Sequence, residues 1–272
     1  MSIVSPTLPG RQADLFGITL DVVSLEQAVE RIHAWITAAE GKCHYVVTPN
    51  VDHIVMLQED ASLRAAYADA SLIVADGWPV VTASRWLGQP LPERVAGSDL
   101  VPALFDAADR HRPLRVFLLG AAPGVAATAA ERIEATWGAV TVVGHYSPPL
   151  GFEHDERENG CILEQLQAHR PDLLVLGLGA PKQERWIHRF YQQIPAHAAI
   201  CAGATIDFLA GHKARAPRWV QRCRLEWLHR LLREPRRLAR RYARDAWVFP
   251  QLVMREWLRA ARPRTDTTTR PR

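Results

Sequence analysis

The stretch Asp172-Leu173-Leu174-Val175-Leu176-Gly177-Leu178-Gly179 runs directly into Ala180-Pro181-Lys182-Gln183-Glu184-Arg185. An apolar run of strand length that empties into a glycine turn and then a helix start reads as a buried parallel strand, with Pro181 suited to the first helical turn. The same transition recurs in Tyr45-Val46-Val47-Thr48-Pro49-Asn50, Leu72-Ile73-Val74-Ala75-Asp76-Gly77, Val116-Phe117-Leu118-Leu119-Gly120 and Ala199-Ile200-Cys201-Ala202-Gly203. Open α/β sheets bind ligands at the carboxyl ends of their strands. The polar residues that follow these runs are therefore expected along one edge of one sheet.

Working outward, a strand is expected over 18–23, then a helix opened by the capping box Ser24-Leu25-Glu26-Gln27. Strands near 43–48 and 72–75 flank one helix over 51–70, and helices follow over 79–87 and 98–111. The second half alternates strand 115–119, helix 123–137, strand 140–145, helix 155–169, strand 173–178, helix 181–193 and strand 198–202. This order predicts an α/β fold with a Rossmann-like, mostly parallel sheet and helices on both faces. The core is expected over 12–213, its halves meeting near 111–113. Past Pro217 the strand signals stop. Residues 218–233 and 235–262 read as amphipathic helices, the second broken or kinked at Pro250, which makes 214–262 a helical appendage and 263–272 a disordered tail.

Composition bounds the function. With 272 residues, 48% hydrophobic and 23% charged, the chain has the make-up of a soluble globular protein. No apolar run approaches the ~18 residues a spanning helix needs, and Met1–Gly10 lacks the basic start and apolar core of a leader, so a cytoplasmic protein is expected. Cys43, Cys161, Cys201 and Cys223 form no Cys-x-x-Cys pair, which excludes a zinc knuckle or redox motif and leaves them as small buried residues. The net charge of +4 conceals fifteen arginines between Ala214 and Arg264 against Glu226, Glu234, Asp245 and Glu256. The tail would attract phosphates, anionic lipid or nucleic acid.

Several residues could carry chemistry. Thr48-Pro49-Asn50 offers a hydroxyl and an amide beside free backbone N–H groups, although Asn50 also suits a helix N-cap. Asp76 ends an apolar strand; it could form an Asx-turn with Gly77, or serve as a general base whose partial desolvation raises its proton affinity. Arg94 precedes a helix start and could pair with Glu93 or Asp99. Gln183 and Lys182 open a helix, as a polar pair or as solvated surface. Gly120-Ala121-Ala122-Pro123-Gly124 is a phosphate-friendly turn without the dinucleotide fingerprint. Asp-x-Asp, the P-loop, His-x-x-x-His and Gly-x-Ser-x-Gly are absent, so paired-aspartate metal sites, P-loop chemistry and serine-hydrolase chemistry drop out.

Taken together, these segments resemble the bacterial WecG/TagA/CpsF glycosyltransferases (glycosyltransferase family 26) from about Phe16 to Tyr242. The resemblance is carried by Thr48-Pro49-Asn50-Val51-Asp52, Ala75-Asp76-Gly77-Trp78-Pro79, Arg94-Val95-Ala96-Gly97-Ser98-Asp99, Gly177-Leu178-Gly179-Ala180-Pro181-Lys182-Gln183-Glu184, Ala202-Gly203-Ala204-Thr205-Ile206-Asp207-Phe208 and Leu225-Glu226-Trp227-Leu228-His229-Arg230. It implies a GT-E type core and an inverting, metal-independent transfer with no cofactor, from a UDP-sugar to a polyprenyl-diphosphate-linked sugar in cell-surface polysaccharide synthesis. It further implies a helical appendage that meets the inner face of the plasma membrane and closes the site. On matching positions, Asp76 is similar to the general base, Thr48 and Asn50 to sugar-hydroxyl contacts, and Arg94 to an acceptor-pocket residue. Gln183 matches the donor pocket, Asp207 a nucleoside contact, and Arg230, Arg237 and Arg240 arginines that reach the diphosphate. Pro79 departs from the small residue many members have there.

Without a metal, charge growing on departing UDP needs fixed donors such as helix N-termini and arginine forks. Trp219, Trp227, Trp247 and Trp257 amid the arginines suit a lipid interface, unless that stripe packs on the core. Two other classes fit less of the chain. An RNA-binding methyltransferase would share the core and basic tail but needs a glycine-rich turn with a following acid. A noncatalytic membrane scaffold leaves the clustered strand ends unexplained. Donor sugar, acceptor sugar and oligomeric state are left open, and no nucleic acid partner is expected on the main reading.

Overall fold

The computed structural model describes residues 10–217, 219–220 and 223–260. Its centre is a six-stranded sheet of β3 (His44–Val47), β4 (Leu72–Ile73), β5 (Leu114–Gly120), β6 (Val140–Tyr146), β7 (Leu173–Gly177) and β8 (Ala198–Cys201), in the order β4-β3-β8-β7-β5-β6. Every pairing is parallel. β7 shows why such a strand is continuously apolar: Leu174 and Leu176 join the core on one face, Leu173 and Val175 the core on the other. β8 enters beside β3, so the two halves share one continuous sheet.

Several expectations are corrected. The strand at Ile18–Asp21 (β2) does not begin the parallel alternation; it pairs antiparallel with β1 (Gln12–Leu15) as a separate two-stranded sheet. After α1 (Leu25–Ala38), the single helix expected over 51–70 is two, α2 (Val51–Leu57) and α3 (Ala61–Ala68). Asp60 ends the first by capping the second, accepting from the Leu63 N–H at 2.9 Å. Helices α4 (Trp78–Trp86), α5 (Gly97–Asp106), α6 (Val125–Thr136), α7 (Glu156–His169) and α8 (Lys182–Phe190) start where the spacing put them, α5 and α8 ending short of the expected 111 and 193, and a short α9 (Thr205–Leu209) is added after β8. Cys43 and Cys201 are buried, but Cys161 and Cys223 are exposed on helical or turn surfaces.

In the appendage, the helix expected over 218–233 is interrupted. A turn at 223–224, with Arg224 left-handed at φ 62°, precedes α10 (Glu226–Arg233). The second helix, α11 (Pro235–Ala260), continues through Pro250 instead of breaking there. The proline gives up its own N–H bond and crowds the Ala246 carbonyl one turn back, and in that same turn the Trp247 carbonyl accepts from the Gln251 side-chain amide at 2.9 Å. Residues 261–272, including the whole of the expected disordered tail, lie outside those described. α11 rests on α2. Leu238, Phe249 and Leu252 are buried, the Phe249 ring lies 5.3 Å from Phe16, and Arg244 pairs with Glu59 at 2.9 Å. The four tail tryptophans do not pack on the core; all are exposed.

Candidate active site

The carboxyl ends of β3, β4 and β8 and the start of α8 converge. The Asp76 N–H donates to the Pro49 carbonyl at 2.8 Å, which ties the end of β4 to the turn after β3. Across β8, the Thr48 hydroxyl lies 3.4 Å from the Cys201 carbonyl. Gly97 lets α5 approach this edge, since a Cβ there would come within 2.9 Å of Ala202 Cα.

Asp76 is half-buried, its Oδ1 3.4 Å from Arg94 Nη1. Burial is the main influence on its carboxyl and raises its proton affinity; Arg94, Arg230 and His53 pull it down and Glu226 pushes it up, with a net upward shift. Arg94 in turn holds Asp99 at 2.5 Å and reaches Glu226 at 3.7 Å. Arg215 also pairs with Asp99. Glu93 is not a partner of Arg94; it accepts the Leu25 N–H at 2.7 Å at the start of α1.

Asn50 both caps α2 and sits at the site. Its Oδ1 accepts from the His53 backbone N–H at 3.3 Å and lies 2.8 Å from His53 Nδ1. Gln183 is buried rather than solvated, donating to Glu184 at 2.8 Å and accepting from the Gly203 N–H at 3.2 Å. Lys182 faces outward over Phe152, 3.8 Å from Glu153.

The appendage supplies the other wall. Glu226 and Arg230 pair at 3.2 Å on α10, and the Arg230 guanidinium lies 5.5 Å from the centre of the Phe208 ring. A cavity of about 200 Å³ opens between α9 and the appendage, with Lys213, Arg230, Arg233 and Arg241 in its lining. Asp207 lies beside it, 3.6 Å from Lys213. Of the other two tail arginines singled out above, Arg240 is exposed on α11 and does not line the cavity, and the Arg237 side chain lies outside the described residues. His53, Glu184, Glu226, Arg215, Arg233 and Arg241 were not among the residues expected at the site, whereas Asp99 was one of the two partners expected for Arg94. Only Glu184, beside Gln183 at a helix start, and His53, three residues after a cap, carried a local hint.

The site can therefore offer a carboxylate base, cations for a departing anion and amides for hydroxyl recognition. The chain is 33% identical over 201 residues, 74% of its length and 76% of the relative's, to the N-acetylglucosaminyldiphosphoundecaprenol N-acetyl-beta-D-mannosaminyltransferase of Bacillus spizizenii (strain ATCC 23059 / NRRL B-14472 / W23). It is 28% identical over 229 residues, 84% of its length and 87% of the relative's, to the protein of the same name from Staphylococcus aureus (strain MRSA252). The model of the glycosyl transferase WecG/TagA/CpsF family matches residues 13–263, from the first hairpin through the whole of α11, and the chain belongs to that family.

Proposed function

We propose that the enzyme moves an N-acetylhexosamine, with inversion, from a UDP-sugar to a sugar linked to undecaprenyl diphosphate. The two relatives named above support N-acetylmannosamine as the sugar moved and N-acetylglucosaminyl-diphosphoundecaprenol as its acceptor. The observation that carries the reading is the position of Asp76 at a sheet edge, beside Arg94 and within the field of an arginine delivered by the appendage.

Asp76 accepts the proton of the acceptor hydroxyl as that oxygen bonds to the anomeric carbon. The bond from that carbon to the UDP oxygen breaks, and the electron pair leaves with the diphosphate. Burial supports Asp76 in this role, because a carboxylate with raised proton affinity is a stronger base. Arg230, Arg233, Arg241 and Lys213 around the cavity supply fixed positive charge for the diphosphate, with no metal in the step. Thr48 and Asn50 contact sugar hydroxyls, Arg94 orients the acceptor, and Asp207 lies where it can contact the nucleoside. Gln183, engaged at both ends of its amide, shapes the donor pocket from behind.

The enzyme works as a peripheral protein on the inner membrane face. On α11, Trp247, Met254 and Leu258 are exposed on the side turned away from Phe249 and Leu252, where rings can sit at headgroup level among arginines. Among the described residues no helix is long and apolar enough to cross a membrane.

The test is transfer from UDP-N-acetylmannosamine to a short-chain N-acetylglucosaminyl-diphosphate lipid. Asp76→Asn should fold normally and lose about 10²–10⁴-fold in kcat. Normal turnover by that variant, or turnover abolished by chelators in the wild type, would defeat the mechanism.

A further inference from the structure

Beneath the site, a buried hydrogen-bonded chain joins the two halves of the protein. Asn50 on the turn after β3 meets His53, His53 Nε2 lies 3.4 Å from Glu184 Oε1, and the same Oε1 accepts from Gln183, which holds the Gly203 N–H. His53 is 7% exposed and Glu184 1%. Glu184 Oε2 and the Tyr67 hydroxyl are buried without a hydrogen-bond partner.

Both ring nitrogens of His53 thus face oxygen acceptors. The identity of the Asn50 oxygen is fixed independently, because it also accepts the His53 backbone N–H. Two acceptors require two N–H groups, which only the imidazolium carries. The Asn50 backbone N–H also approaches His53 Nδ1, but at 3.4 Å, against 2.8 Å for the Asn50 oxygen, so the shorter contact decides. With its oxygen committed twice, the Asn50 amide has only its NH₂ group left to donate toward a ligand.

We propose that His53 is a positioning residue: as an imidazolium clamped between Asn50 and Glu184, it fixes the Asn50 amide with its NH₂ toward the substrate cleft. When His53 is neutral and its one proton stays on Nε2 facing residue 184, Nδ1 becomes an acceptor, two lone pairs oppose each other at that short contact, and the amide turns to present its oxygen instead. A hydroxyl that accepts from Asn50 loses its donor. The charged groups around the ring favour the clamped form. Burial alone pulls the proton affinity of His53 down, but the Glu184 hydrogen bond and charge, with Asp52 and Asp76, more than offset it, for a net rise. Tyr67 faces Glu184 from α3, and Asp245 lies within the field of His53, Arg241 and Arg244 on the α11 side.

The kinetic half of the proposal rests on the reading of Asn50 as a sugar contact; the protonation half does not. In the full chain, ¹⁵N-resolved NMR of His53 should show both ring nitrogens protonated at pH 7.5, and in Glu184→Gln only one. Transfer from UDP-N-acetylmannosamine should then show KM for Glu184→Gln raised about tenfold at pH 8, the size of one lost hydrogen bond, with kcat little changed. The ratio to wild type should return toward one as pH falls, and only below the ordinary imidazole range, because burial without the Glu184 charge lowers the proton affinity of His53. His53→Gln, which can still donate to the Asn50 oxygen, should retain more affinity than His53→Ala. A neutral His53 at pH 7.5 in the wild type overturns the proposal, as does a Glu184→Gln defect that ignores pH. Absence of all transfer by the wild type would instead sink the substrate assignment, with the NMR result still deciding the state of His53.

Discussion

Phe249 and Leu252 carry α11 into the core cluster, so the loss of one such side chain should loosen the docking of the appendage. Phe249 is 9% exposed, joins the core cluster beside Leu252, and meets Phe16 at 5.3 Å between ring centres. Replacing a buried phenylalanine by alanine costs about 3–5 kcal/mol; for a residue at the core's edge the lower figure applies. About 3 kcal/mol corresponds to roughly a hundredfold in a docking equilibrium. The ion pairs from Arg244 to Glu59 and Arg241 to Asp52 cannot make this up, since pairs with solvent access contribute about 1 kcal/mol or less. In Phe249→Ala, amide hydrogen exchange should accelerate across α10 and α11 while β5 and β7 keep their protection. Transfer should fall in step with the docked fraction, because Arg230 and Glu226 leave with α10. Wild-type turnover with a rapidly exchanging appendage would refute the reasoning, and so would unchanged exchange.

Trp247→Ala, by contrast, removes an exposed ring and should leave exchange untouched while weakening retention on anionic vesicles. Gly97→Ala forces a methyl against Ala202 and should destabilise the core by about 1–3 kcal/mol, read as a lowered denaturant midpoint. Asp245 has its pKa pushed up to about 6, by burial first and then by Asp52. Because the folded value exceeds the ordinary one of 3.8, the group weakens docking as pH rises through that interval, fully so above 6. Asp245→Asn should therefore slow exchange in α11 at pH 7.5 and have no effect at pH 3.5. Glu226→Gln removes a charge that raises the proton affinity of Asp76 and should move the acidic limb of kcat/KM to lower pH.

The sheet was legible because β7 and its neighbours are buried on both faces, and that condition writes itself as an unbroken apolar run. β1 was not, since Gln12–Leu15 is four residues alternating exposed and buried, too short to announce a strand. The break between α2 and α3 was hidden because Leu57 and Leu63 both face the core across it, so hydrophobic spacing alone could not reveal the Asp60 cap. At the site, Asp76, Arg94, Thr48 and Asn50 could be picked out because each follows a strand or precedes a helix. Glu226 could not. Its place opposite Arg94 depends on how α10 docks, which no local pattern encodes. Arg240 and Arg241 show the same limit: adjacent in sequence, they differ in that Arg241 lines the cavity and Arg240 points to solvent.

Glu226 and Arg230 lie one helical turn apart and already pair with each other, so α10 carries no net charge to Asp76 from this pair. Arg230 lowers the proton affinity of Asp76 and Glu226 raises it, so the two act on the base in opposite directions. A diphosphate that takes Arg230 for itself would remove one side of that balance. Glu226 would then remain beside Arg94, competing with Asp76 for the same guanidinium. Under the proposed mechanism, donor binding thus strengthens the base, and an acceptor hydroxyl is deprotonated only once the donor is in place. The shift produced by Glu226→Gln should accordingly be larger in the pH profile of kcat, which reports the bound complex, than in that of kcat/KM. Equal shifts in both profiles would mean that Glu226 acts on Asp76 without regard to the diphosphate.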